Sequence, residues 1–380
     1  MNITTCSLSE NMKFQHLLYV FFMIIVLLSS AIGNILVTVS IFMSRCFRER
    51  VGTIFIISLA CSDFANAAFL IPFKISTNLR NDQFCHSISK CFLYIIVDST
   101  CNIASIFGLL FITIDRYIAI RFPFHYTEIL TRKRAKIVTL LIWIVSAVIG
   151  ISGIFQWQQN SFLPSLSIKV TPSEKGCRNE NRYFYVFVYF ALYLPSLGAM
   201  TILYLVIMRI AVMHAKAIAL QKQKWVPRVQ QENLTKKRGR IFEMKTTKTV
   251  AMVYLAFIIC WGPSCVINII IFFDQNVFPK LKKTHNGLFK FIFYSFIEIL
   301  PVLTTTLNPF IYSFSNKHFR SAFKKTLKKL YEKISKVKRK KSVTSLTSII
   351  TLLNITNQSR KNYIVKKTSL SIESLTAIEV

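Results

Sequence analysis

Seven stretches of this sequence, residues 17–43, 52–77, 88–121, 135–156, 183–213, 244–273 and 287–314, are each apolar enough and long enough to cross a bilayer, which takes about 20 predominantly apolar residues in a helix. Inside hydrocarbon no water can pair the backbone N–H and C=O groups. A chain made of such blocks must therefore satisfy them internally, as helices do. The expected fold class is all-α integral membrane: a seven-transmembrane helix bundle over residues 17–314, preceded by residues 1–16. The first block exceeds the apolar core of a signal peptide and lacks a convincing small-residue cleavage site, so it reads as a span.

Orientation follows from the loops. Arg45, Arg48 and Arg50 follow span 1, Arg132, Lys133, Arg134 and Lys136 precede span 4, and Lys236, Lys237, Arg238 and Arg240 precede span 6. Basic loops stay in the cytoplasm, which puts the N-terminus outside, although Lys280, Lys282 and Lys283 make one outer loop basic as well. Asn2 then lies in an outer glycosylation sequon, whereas Asn233, Asn354 and Asn357 lie in sequons on the inner side. A net charge of +32 could suit nucleic acid, but its concentration in these loops and the tail fits anionic lipid instead. No nucleic-acid partner is expected.

After span 7, Phe319, Phe323, Leu327 and Leu330 recur at helical spacing among Lys324, Lys325, Lys328 and Lys329. Residues 315–334 are accordingly expected as a short amphipathic helix on the inner leaflet. Residues 335–380 carry a basic run, Lys336 to Lys341, and then many Ser and Thr without a steady period. They read as a disordered cytoplasmic tail open to phosphorylation. Of the nine cysteines, Cys6, Cys85, Cys91 and Cys177 fall on the outer side, where disulfides form. Cys46, Cys61, Cys101, Cys260 and Cys265 fall in helices or on the inner side and read as reduced thiols.

An ionisable group at mid-membrane costs about 2.5–3.5 kcal/mol on insertion scales, so Asp63, Asp98, Asp115, Arg116, Glu243 and Glu298 are the candidates for function. Asp98 and Arg116 are separated by five helical turns, about 27 Å of rise. They share one face of span 3, at its outer third and its cytoplasmic end.

The chain resembles the rhodopsin-like family of G-protein-coupled receptors at Gly33-Asn34, Leu59-Ala60-Cys61-Ser62-Asp63, Asp115-Arg116-Tyr117, Trp143, Pro195, Cys260-Trp261-Gly262-Pro263 and Asn308-Pro309-Phe310-Ile311-Tyr312. The resemblance covers roughly residues 17–330 and follows the family order. It implies a multi-pass plasma-membrane receptor with an extracellular N-terminus, no enzymatic activity and no obligatory cofactor. It also implies coupling to a heterotrimeric G protein, with arrestin and a receptor kinase acting on the Ser/Thr-rich tail.

Within the family the pattern looks nearest to the biogenic-amine receptors, where an acid placed like Asp98 holds a protonated amine. The implied ligand-facing set is Asp98, Ser99, Asn102, Phe187, Ala191, Trp261, Ser264, Cys265 and Glu298, for a small cationic ligand. It departs from that subfamily in several places. Phe187, Val188 and Ala191 stand where catecholamine receptors have serines, Ser264 and Cys265 replace an aromatic pair, and Val302 stands where a tyrosine often bonds the acid. The aromatic cage for a cation is thus expected to be incomplete, which keeps a peptide or other non-amine ligand as the alternative. On residue chemistry alone, Asp98 could equally be a buried acid held by a polar neighbour or water, and Glu298 could reach water or Lys290 instead of the pocket.

The resemblance assigns further roles. Asp63, Ser105 and Asn308, with Trp261 nearby, look like a sodium site, with Thr304 in place of an Asn; a water-filled polar network is the other reading. Asp115, Arg116 and Tyr117 with Glu243 look like an inner clamp, the alternative being a solvated surface pair. Ile106, Pro195 and Phe257 resemble a packed connector, Pro263 a pivot in span 6, and Asn308, Pro309 and Tyr312 part of the switch. Tyr204 lies one position beyond the family's span 5 tyrosine and is assigned no role. Cys91 and Cys177 are placed like the family's outer disulfide pair, with Cys6 and Cys85 as candidates for a second. A secondary transporter also uses intramembrane acids, but the expected inverted repeat and broken-helix pair are not seen in the pattern. No nucleophile-base set, metal cluster or phosphate loop suggests an enzyme.

Overall fold

The computed structural model describes residues 14–79, 88–156, 165–168, 170–173, 176–179, 181–223, 231–274, 276–315, 317–332 and 335. Asn2, Cys6, Cys85 and residues 336–380 lie outside the described residues, as do the expectations attached to them. The chain divides into two compact units, Met1–Phe323 and Lys324–Val380, and the helix bundle belongs to the first.

Among the described residues seven helices are long and apolar enough to cross a membrane: Leu17–Met43, Thr53–Thr77, Ser89–Arg121, Arg132–Ser152, Tyr183–Ile210, Thr247–Phe273 and Asn286–Ser315. They correspond to spans 1 to 7. Their outer faces carry exposed Leu28, Ile32, Leu140, Val148, Ile202 and Ile259, while Asn34, Asp63, Ser105, Thr304 and Asn308 are buried between helices. Apolar residues facing out and polar ones facing in is the distribution that a hydrocarbon solvent selects.

Span 4 ends at Ser152, four residues before the expected 156. Asn181 explains this stop, because its Nδ2 donates to the carbonyls of Gly153 (2.8 Å) and Phe155 (2.5 Å), capturing groups that a longer helix would have paired internally. The loop between spans 4 and 5 adds the strands found among the described residues: β1 (Phe155–Gln156) pairs antiparallel with β2 (Ser165–Ile168), and β3 (Val170–Ser173) with β4 (Gly176–Asn179).

Three spans are not continuous α-helix. π-Helical turns interrupt span 2 at Asn66–Leu70, span 5 at Val188–Tyr193 and span 7 at Phe293–Ile299. Each is followed two residues later by a proline: Pro72, Pro195 and Pro301. A proline inside a helix offers no N–H and its ring crowds the carbonyl four residues back. Those carbonyls belong to Ala68, Ala191 and Ile297, all inside the π turns, and widening the turn relieves the crowding.

Close approaches set the packing elsewhere. A Cβ on Gly33 would sit 2.9 Å from Pro309, so spans 1 and 7 meet closely through that glycine. Trp143 Nε1 donates to Ser58 Oγ at 2.9 Å, tying span 4 to span 2. Residues 317–332 are helical. Within the first unit Phe319 is buried and stacks on Phe47 at 4.2 Å and on Tyr312 at 5.4 Å. Leu327 and Leu330 are exposed, as are Lys324, Lys325, Lys328 and Lys329, so the apolar positions of this segment divide between buried aromatics and exposed leucines.

Candidate functional site

The three π turns flank one cavity of about 200 Å³ between spans 2, 3, 5, 6 and 7. Asn66 and Lys74 line it from span 2, Tyr94, Asp98, Ser99 and Asn102 from span 3, Tyr185, Tyr189 and Tyr193 from span 5, Trp261, Ser264 and Asn268 from span 6, and Glu298 from span 7. Six of the expected ligand-facing residues are therefore brought together: Asp98, Ser99, Asn102, Trp261, Ser264 and Glu298. Phe187, Ala191 and Cys265 are not among the lining residues. Ala191 is exposed and Cys265 is buried. The span 5 π turn shifts the helical register, and Tyr189 and Tyr193 line the cavity where the resemblance points to Phe187 and Ala191.

Asp98 is held in place by a relay of amides. Asn102 Nδ2 donates to Asp98 Oδ1 at 2.9 Å, and Asn66 Nδ2 donates to Asn102 Oδ1 at 3.2 Å. These bonds use one carboxylate oxygen of Asp98, and a carboxylate has room for several more donors. Tyr94, Tyr189, Tyr193 and Trp261 line the same cavity, aromatic rings of the kind whose faces attract a cation. Tyr193 stands 5.7 Å from Trp261 and 6.3 Å from Phe257, coupling the floor of the cavity to the core below. The aromatic lining of the cavity is thus fuller than the sequence suggests, because Tyr94 of span 3 and the tyrosines of span 5 join Trp261 of span 6.

Glu298 lines the cavity, and the side chain it pairs with is Lys74 rather than Lys290. Lys74 Nζ lies 2.6 Å from Glu298 Oε2. Sequence reasoning passes over Lys74, although a lysine inside an apolar span carries the same signal as the acids. Its position three residues from the end of span 2 reads instead as a helix-end lysine reaching for water. Tyr94, Asn66 and Asn268 are likewise absent from the sequence-derived set.

Beneath this cavity lies a small one of about 10 Å³, lined by Asp63, Asn66, Ser105, Trp261, Thr304 and Asn308 among others. That is room for about one water-sized particle. Asn308 Nδ2 donates to Asp63 Oδ2 at 2.6 Å, and Ser62 and Ser105 share a hydroxyl bond of 2.9 Å. The side-chain oxygens Asn66 Oδ1 and Asn308 Oδ1 are buried without a protein partner. A carboxylate with orphaned hard oxygens around a single-particle space is a donor set that fits a small hard cation such as sodium.

At the far end of span 3 from Asp98, Arg116 Nε donates to Asp115 Oδ2 at 2.8 Å, and Tyr126 Oη donates to Asp115 Oδ1 at 2.6 Å. Both members of the pair are buried, Asp115 at 1% and Arg116 at 6% exposure, so this is no solvated surface pair. The side chain of Glu243 lies outside the described residues; its backbone belongs to the helix Gln231–Phe273. Tyr117 is half-buried and meets Phe122 edge-on at 6.3 Å.

Ile106 and Phe257 are buried in the main core, whereas Pro195 is exposed and does not pack between them. Its physical effect is the π turn before it. Tyr204, left without a role by its spacing, is buried; its hydroxyl accepts from Thr113 Oγ1 at 3.4 Å and its ring stacks on Tyr254 at 5.1 Å. Tyr254 Oη also donates to the Leu197 carbonyl at 3.0 Å, joining span 6 to span 5 below Pro263. Asn308, Pro309 and Tyr312 are all buried in span 7. Cys91 is disulfide-bonded, while Cys61, Cys101, Cys260 and Cys265 are free. Cys177 lies on β4, and its side chain is outside the described residues.

Comparison with known proteins adds independent findings. A family model described as "7 transmembrane receptor (rhodopsin family)" matches residues 33–312. The chain is similar to the human adenosine receptor A2a, with 28% identity over 78% of this chain and 69% of the relative. It is similar to the mouse adenosine receptor A2b, with 27% identity over 82% of this chain and 90% of the relative. The alpha-1A adrenergic receptor of Oryzias latipes is 26% identical over 80% of this chain and 65% of the relative.

Proposed function

The chain belongs to the rhodopsin family of seven-transmembrane receptors, and from that premise we propose that it senses a small cationic amine whose ammonium pairs with Asp98. Membership makes it a multi-pass plasma-membrane receptor that couples to G proteins and responds to small molecules, and not an enzyme. The proposed orientation keeps the N-terminus extracellular, with the cavity opening outward.

The observation that carries the amine reading is Asp98 itself. Its carboxylate faces a cavity walled by tyrosines and Trp261. An ammonium there would recover the hydration that the buried acid has given up, and the ring faces would add to the attraction. The cavity is smaller than the roughly 300–1,000 Å³ of typical ligand pockets, which suits a compact ligand.

In this reading, ligand binding against Tyr193 and Trp261 is transmitted through Phe257 and Ile106 to the inner pair Asp115–Arg116. Span 6, with Pro263 inside it, swings outward to admit the G protein. Asp63, Ser105 and Asn308 would hold a sodium ion, whose charge would compensate the buried carboxylate and favour the resting arrangement. Exposed Leu327, Leu330 and the lysines beside them rest on inner-leaflet lipid, and the Ser/Thr-rich tail serves a receptor kinase and arrestin.

One observation favours a second reading. The adenosine receptors to which the chain is similar take their name from a nucleoside, and Asn268 presents an amide to the cavity, chemistry that matches the donor and acceptor edge of a purine. G-protein activation measured on cells given a panel of monoamines, diamines and adenosine separates the two. The amine reading expects a monoamine response that Asp98→Asn weakens. A response to adenosine alone, indifferent to Asp98→Asn, overturns it.

A further inference from the structure

The ligand cavity contains an internal ion pair. Lys74 comes from span 2 just beyond its π turn, and Glu298 lies within the π turn of span 7. Two separate helical irregularities thus bring the pair together at 2.6 Å, with the side chains only 15% and 23% exposed. Both line the same cavity as Asp98, and the three charges act on one another. Among the described lining residues, one cation and two carboxylates give a net formal charge of −1.

We propose that Lys74 is a specificity-determining residue: by cancelling Glu298 it fixes at one the number of positive charges that the cavity accepts in a ligand. The proposal rests on the amine reading of Asp98. Its physical basis is that charges in an enclosed site are screened far less than in water. A ligand whose charge matches the site leaves nothing uncompensated, and one that exceeds or falls short leaves a bare buried charge. With Lys74 present, a monoamine matches and a diamine brings one cation too many. Without it, Glu298 becomes a second free carboxylate and a diamine is the matched ligand. Without Glu298 but with Lys74, the cavity is bipolar and neutral overall, so a zwitterion matches.

The test uses full-length receptor in lipid nanodiscs, with apparent affinity read from thermal stabilisation by phenylethylamine, p-xylylenediamine and phenylalanine. Wild type is expected to prefer phenylethylamine. Lys74→Met should shift the diamine-to-monoamine preference toward the diamine by at least tenfold. Glu298→Gln should weaken phenylethylamine at least tenfold and move preference toward phenylalanine. Lys74→Met/Glu298→Gln, which restores a net charge of −1, should return the wild-type ratio. If Lys74→Met does not fold, Glu298→Gln and the double variant decide by the same criteria. Ratios within threefold of wild type in the folded single variants, with phenylethylamine still weakened by Asp98→Asn, overturn the role of Lys74 and leave the amine reading intact. Binding of none of the amines, or phenylethylamine binding indifferent to Asp98→Asn, overturns the amine reading and this proposal with it.

Discussion

Asn308 donates its Nδ2 hydrogen to Asp63 Oδ2 at 2.6 Å, joining span 7 to span 2 where both residues are all but inaccessible. A carboxylate buried that deeply, with orphaned oxygens around it, gains from a cation of the right size. Sodium chloride is therefore expected to raise the melting temperature of the purified receptor above its value in potassium chloride at the same ionic strength. A ligand at about 100 times its Kd stabilises by about 2.7 kcal/mol, a shift easily read. Asp63→Asn should abolish the difference; a sodium-dependent rise that persists in Asp63→Asn places the ion elsewhere.

The inner pair gives a second expectation. Tyr126 Oη holds the Asp115 carboxylate that in turn holds Arg116, and a hydrogen bond to a charged group contributes about 1.5–3 kcal/mol. Tyr126→Phe should loosen Asp115 and raise basal G-protein activation roughly tenfold where the resting state is favoured by that margin. Glu243→Ala should act in the same direction if that acid faces Arg116, and Arg116→Ala should abolish coupling. Basal activity of Tyr126→Phe equal to wild type, at matched surface expression, contradicts the role of Tyr126.

Cys91 is disulfide-bonded near the start of span 3, and its expected partner is Cys177 on β4. Peptide mapping of unreduced protein should recover a fragment containing both cysteines. A fragment linking Cys91 to any other cysteine, or an alkylated Cys177, rules the pairing out.

Much of the fold is legible in the sequence for a simple reason: apolar blocks of membrane length have few folding options, and every span appears close to its expected bounds. What escapes is helical register. The resemblance points to Phe187 and Ala191 as the ligand-facing positions of span 5, and across the π turn before Pro195 it is Tyr189 and Tyr193 that line the cavity. The repeated spacing of a proline two residues after each π turn is a signal that propensity rules do not weigh, because they treat proline as a break or a kink. Lys74 escapes for a different reason. Its partner Glu298 lies 224 positions away, and sequence spacing along one helix cannot reveal a pairing between two.

The same register argument can be tested. Pro195→Ala removes the crowding that widens span 5 and should let the helix relax toward regular α geometry, rotating Tyr189 and Tyr193 away from the cavity. Cation–ring contacts contribute about 0.5–2 kcal/mol, so phenylethylamine should bind Pro195→Ala severalfold to thirtyfold more weakly, with surface expression little changed. Unaltered affinity would mean that the tyrosines do not depend on the π turn or do not meet the ligand.

The most direct test of the amine reading is a dose–response series comparing wild type with Asp98→Asn at equal surface expression, using the monoamine agonist that the panel yields. Asp98 lies in a ring of tyrosines with Asn102 on one oxygen. Removing one member of a buried charge pair costs about 3–5 kcal/mol, with each 1.4 kcal/mol a factor of ten. Potency should therefore fall by roughly two to three decades, while a non-amine agonist that avoids Asp98 is unaffected. A shift of less than about threefold, below 1 kcal/mol by the same arithmetic, would contradict the assignment of Asp98 as the ammonium's counter-ion.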